Sequence, residues 1–93
     1  MGSKIFEKAI NQSNYLPVPM PGRTLVEISG DHRILIENHR GVSFYNDTKI
    51  CVHSSYGEIC ILGKGVSLPY MTKQQLIITG EIDSVSLLRG EKV

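Results

Sequence analysis

Between residues 24 and 88, apolar and polar positions alternate in short runs. Each run is broken by glycine or by clusters of Asn, Asp and Ser. A period of two predicts β-strands with one apolar face. The runs are Thr24–Ser29, Arg33–Glu37, Val42–Asn46, Lys49–His53, Glu58–Leu62, Val66–Tyr70, Gln75–Thr79 and Asp83–Leu88. Pro69 lacks an amide proton, which makes Val66–Tyr70 an edge strand. No connection has room for a crossover helix, so neighbouring strands are expected to be antiparallel. About seven to eight short strands at this spacing predict a small all-β domain, either a sandwich or a barrel.

Strand parity predicts the core. Val26, Ile28, Ile34, Ile36, Val42, Phe44, Ile50, Val52, Ile59, Ile61, Val66, Leu68, Leu76, Ile78, Val85 and Leu87 share the inward face of their strands. The other face carries Leu25, Leu35, Tyr45, Leu62, Ile77 and Leu88. Either the N-terminal segment covers part of that face, or a partner does. The centre of the pattern is Ile34 to Tyr45. There two alternating runs flank Glu37-Asn38-His39-Arg40-Gly41. Asn38 tolerates a left-handed backbone and Gly41 takes positive φ without steric cost, so the stretch reads as a β-hairpin.

Upstream the pattern differs. Ser3 can cap a short helix over residues 3–12, with Ile5, Phe6, Ala9 and Ile10 near one stripe. The prolines of Leu16–Gly22 then fix an extended segment, a stiff connector or a ligand for an aromatic groove. The change at Arg23 divides the chain into a leader, residues 1–22, and a β domain, residues 23–93.

Composition narrows the function classes. A chain of 93 residues buries roughly 60–65% of its unfolded surface, so a deep catalytic cleft beside the core is not expected. A net charge of +1 gives no electrostatic footprint for nucleic acid or for anionic lipid. No apolar run approaches the roughly 20 residues needed to cross a bilayer, so direct membrane insertion is not expected. The opening Met-Gly-Ser-Lys-Ile-Phe has no signal-peptide apolar region, which points to the cytoplasm.

Candidate chemistry is sparse. Cys51 and His53 share a strand face, and a tight turn near Tyr56-Gly57 brings Cys60 beside one of them. Two thiols and an imidazole suit zinc, although a closed site needs a fourth ligand such as Asp47 or Glu58. Two cysteines do not make a secreted disulfide framework, and in a reducing compartment both are expected to be free thiols. No phosphate-cradling motif or nucleophile elbow is present. Glu37 and His39 are close enough for acid–base work, but the expected reading is a turn carboxylate accepting bonds from its own loop. No catalytic residue, cofactor or metal is expected.

Glu37-Asn38-His39-Arg40-Gly41 after an Ile-Leu-Ile strand resembles the signature of the YabP/YqfC sporulation proteins. Ile50 to Ser54, Gly57-Glu58-Ile59 to Gly63 and Leu76 to Ile82 fit that family's run of strands, so the likeness covers Leu16 to Leu88. The turn and the helix-then-proline leader resemble the YqfC branch more than YabP. Neither Cys51 and Cys60 nor the prolines belong to that likeness. The resemblance implies an immunoglobulin-like β-sandwich with no catalytic activity. It also implies a mother-cell role in spore formation and a YqfD-type membrane protein as partner. The leading expectation is an adaptor or assembly module recruited to the forespore membrane. The alternative is a structural component of coat or cortex assembly that self-associates by edge strands as a homo-oligomer. In either case Glu37, Asn38, His39, Arg40 and Gly41 are the expected partner-binding residues, with Asn38 and Gly41 shaping the turn and His39 and Arg40 presenting it.

Overall fold

The structure is a computed structural model that describes residues 22–90. The expected helix over residues 3–12 and nearly all of the proline segment lie outside them. Six strands follow in order: β1 Leu25–Ser29, β2 Arg33–Glu37, β3 Val42–Tyr45, β4 Lys49–Ser54, β5 Gly57–Met71 and β6 Gln75–Arg89. All pair antiparallel in one sheet of order β1-β2-β6-β5-β4-β3. The small antiparallel all-β domain is as expected, but its strand count is lower.

The count falls because two expected pairs of strands are continuous. Glu58–Leu62 and Val66–Tyr70 are both parts of β5, and Gln75–Thr79 and Asp83–Leu88 are both parts of β6. Gly63–Gly65 and Gly80-Glu81 bend the ribbon instead of ending it, and the β5–β6 register shifts there. A Cβ on Gly63 would collide with the Glu81 carbonyl oxygen, and one on Gly80 would come within 2.7 Å of the Gly65 carbonyl. Only glycine lets these two backbones approach so closely at a bulge.

Beyond the bend each arm of the ribbon meets different neighbours. Residues 75–79 of β6 pair with β2, and residues 57–62 of β5 pair with β4. Ile34, Ile36, Leu76 and Ile78 from the first side meet Ile50, Val52, Ile59 and Ile61 from the second in one core, with Val66 at the bend. Fully burying each such side chain is worth about 1.5–3 kcal/mol.

Three expected core residues are instead exposed: Ile28 at 53%, Phe44 at 47% and Leu87 at 58%. Phe44 is turned out by a bulge. Val42 opposes Val52, but Phe44 opposes Cys51, so two residues of β3 face one of β4 and parity flips. Ile28 lies on the outermost strand, and Leu87 lies where β6 has only β5 beside it. The apolar residues expected on the opposite face do not form one patch. Leu35 and Ile77 are neighbours alongside Tyr70, whereas Leu62 and Leu88 lie on the other half.

The expected hairpin is also redrawn, since β2 and β3 are not paired at all. β2 forms its hairpin with β1, and β3 forms its hairpin with β4. Asn38–Gly41 is therefore a strap from one half of the sheet to the other.

Candidate functional site

The turn chemistry read from the strap is present. Asn38 has φ 60 and Gly41 has φ 106. Its hydrogen bonds, however, reach well beyond its own flanks. The Asn38 amide donates to the Gln74 carbonyl, and its Nδ2 donates to the Arg23 carbonyl at 2.9 Å. The Arg40 amide donates to the His53 carbonyl at 2.9 Å, and the His53 amide returns to the Gly41 carbonyl at 2.8 Å.

His39 faces inward and is only 7% exposed. The Gly41 amide donates to its Nδ1 at 3.0 Å. The proton therefore sits on Nε2, which donates to the Thr72 carbonyl at 2.7 Å. Both ring nitrogens are consumed inside the fold, so His39 positions the strap and presents nothing. Glu37 is half-buried and its Oε2 accepts from Gln75 Nε2 at 3.0 Å. Arg40 is exposed, with Nη2 donating to the Gly22 carbonyl at 3.0 Å.

Thr24 carries a role that no sequence signal announced. Buried, it donates from Oγ1 to the Asn38 carbonyl at 2.7 Å and accepts from the Ser55 amide at 2.9 Å. Its own amide donates to Ser55 Oγ at 3.0 Å. The start of β1, the strap and the β4–β5 turn are thereby tied together.

Beside the strap lies an open cavity of about 690 Å³, lined by His39, Arg40, Gly41, Met71, Thr72 and Lys73. Met71 ends β5 and Thr72 and Lys73 lie in the β5–β6 turn, about thirty positions away in sequence, so the strap's neighbours were not readable locally. Tyr70 and Met71 are both exposed. The cavity thus combines an apolar methionine with two cations, Arg40 and Lys73, that have no acidic partner among the described residues.

The Cys51, His53, Cys60 group resolves differently from the expectation of free thiols. Cys51 and Cys60 oppose each other on β4 and β5, with Cα atoms 4.1 Å apart, and form a disulfide. The cause is register. The turn between Ser54 and Gly57 sets the β4–β5 ladder, and that ladder places the two sulfurs face to face. Bonded to each other, they are not metal ligands. His53 Nδ1 lies 3.9 Å from Glu58 Oε2, which accepts from Ser43 Oγ at 2.6 Å. Among the described residues no three His, Cys, Asp or Glu side chains converge on a metal position.

The family model that matches this chain is that of the YabP family, over residues 21–93. The chain belongs to the YabP family. The YabP match takes in every strand, the strap and the disulfide. No curated protein and no solved structure matches the chain.

Proposed function

We propose that this YabP-family chain is a non-enzymatic sporulation protein of the YqfC branch. It acts in the mother cell as an adaptor that binds a YqfD-type membrane protein at the forespore boundary. Family membership supports the process. The observation that carries the binding role is the cavity at the strap, where exposed Arg40 and Lys73 flank Met71. Arg forms bidentate bonds to carboxylates, and methionine adapts its shape to varied apolar partners. The surface therefore fits an acidic segment with one apolar anchor on the partner. Within the expected site, Arg40 makes contact, while Glu37, Asn38, His39 and Gly41 hold the strap in place. The immunoglobulin-like sandwich belongs to the same proposal, supported by one core shared between the two halves of the bent sheet.

Capture of the co-produced membrane partner tests this reading. The double variant Arg40→Glu/Lys73→Glu is expected to lose the partner while keeping the wild-type unfolding midpoint. Full retention of the partner would move the contact off the strap.

A further inference from the structure

The disulfide is one row of a wider array. On β4 and β5 the core-facing residues are Ile50, Val52, Ile59 and Ile61, so Cys51, His53, Glu58 and Cys60 share the opposite face. The ladder sets Cys51 directly across from Cys60, and His53 directly across from Glu58. The two pairs are two positions apart along the strands, so the four side chains stand at the corners of one small rectangle.

Both pairs are of the close kind. The His53 amide and carbonyl bond to Gly41 and Arg40 of the strap, not to β5. His53 and Glu58 are therefore a non-hydrogen-bonded pair. Alternation makes Cys51 and Cys60 another, in agreement with their Cα separation of 4.1 Å. His53 Nδ1 already lies 3.9 Å from Glu58 Oε2, and the Ser43 hydroxyl, at the β3 bulge, holds that carboxylate at 2.6 Å. Lys49, two residues before Cys51 on the same face, is drawn over the Phe44 ring, 5.4 Å from its centroid.

We propose that the reduced chain is a zinc site with Cys51, Cys60, His53 and Glu58 as its four ligands, and that the disulfide is the oxidised, metal-free form of that site. Two thiolates, an imidazole and a carboxylate make a closed tetrahedral set for zinc. Two sulfurs on one tetrahedral zinc lie roughly 3.8 Å apart, given zinc–sulfur bonds of about 2.3 Å. Cysteines 4.1 Å apart at Cα reach that separation by rotation about Cα–Cβ, without moving the ladder. The sequence left the fourth ligand open between Asp47 and Glu58, and the register decides it. Asp47 lies in the turn at the other end of β4, where its carbonyl accepts from the Val66 amide. The Ser43 hydrogen bond orients the carboxylate that does ligate, as such bonds do around metals.

The change of state is a thiol–disulfide exchange. An external dithiol gives two electrons and two protons to the Cys51–Cys60 bond and leaves as its own disulfide. Zinc then displaces the two thiol protons, because the thiolate is the ligand. With the sulfurs rejoined, only His53 and Glu58 remain, too few to hold the ion. The proposal is independent of the adaptor reading, since neither Arg40 nor Lys73 is a ligand.

Titration of the full chain with Zn²⁺ or Co²⁺ tests it, with circular dichroism following the sheet in each form. The chain purified under a phosphine reductant is expected to bind about one Zn²⁺ per chain. With Co²⁺ it is expected to show thiolate-to-cobalt charge transfer and the visible bands of a tetrahedral site. The oxidised chain is expected to bind neither ion. Cys51→Ser, His53→Ala and Glu58→Gln are each expected to weaken binding about tenfold or more, and Asp47→Asn to leave it unchanged. A reduced, folded chain that takes up no metal overturns the proposal. So does uptake indifferent to His53→Ala and Glu58→Gln, equal uptake by the oxidised chain, or a reduced chain that loses its sheet and does not regain it with Zn²⁺.

Discussion

Two polar connections in this chain open on asparagine, Asn38–Gly41 and Asn46–Thr48, and in sequence they look alike. The second is a hairpin turn whose asparagine bonds only within it, while its Asp47 and Thr48 carbonyls accept from the Val66 and Gly63 amides of β5. Asn46 Oδ1 accepts from the amides of Thr48 and Lys49 at 2.9 and 2.8 Å, and the Asn46 amide donates to the Lys49 carbonyl. The first satisfies almost nothing locally. Its bonds run to Arg23, Thr24, His53, Thr72 and Gln74, from three other segments of the chain. The same residue type ends a strand in both places. What differs is whether the next strand returns beside the last one or crosses to the other half of the sheet. A crossing connection has no neighbouring ladder to absorb its amides and carbonyls, so distant groups must do so.

The sharpest test of this contrast is His39→Ala. It removes two hydrogen bonds, to the carbonyl of exposed Thr72 and to the amide of half-buried Gly41, each worth about 0.5–1.5 kcal/mol. Denaturant unfolding should show a loss of about 2 kcal/mol or more, since the buried ring also leaves a void. Asn46→Ala, which removes only a local acceptor, should cost about 1 kcal/mol in the same assay. Equal losses would mean that the strap's long-range bonds carry no more than the hairpin's local ones.

A smaller effect is expected at Phe44. Were it a core residue, truncation to alanine would cost about 3–5 kcal/mol. Half-exposed beside the Lys49 ammonium, which sits 5.4 Å from its ring centroid, Phe44→Ala should cost about 1 kcal/mol. A core-sized loss would restore the unbulged parity of β3.

Much of the domain was legible. Alternation located every strand position, because a half-buried strand must repeat every two residues. Asn38 and Gly41 announced a left-handed backbone, because sterics exclude most other residues from it. Glycine at 63, 65 and 80 announced irregularity, but could not say whether the chain turned back or merely bent. That depends on whether another backbone lies against the glycine, which is a fact about Glu81 and Gly65, not about the local sequence. The facing of Cys51 and Cys60 was within reach once the turn at Ser55-Tyr56 was fixed, since a ladder's register follows from its turn.

The sequence by itself determined the class of fold, the position of its strands, the conformation of the strap's backbone and most of the core. These depend on periodicity and on single-residue sterics, both of which act over a few positions. The tertiary structure alone decided that β2 crosses to β3, that Phe44 faces out, that His39 faces in and that Thr24 ties three segments together. Each of these depends on which strands become neighbours. That choice is made by burying one core common to both halves, and no short stretch of the chain contains that information.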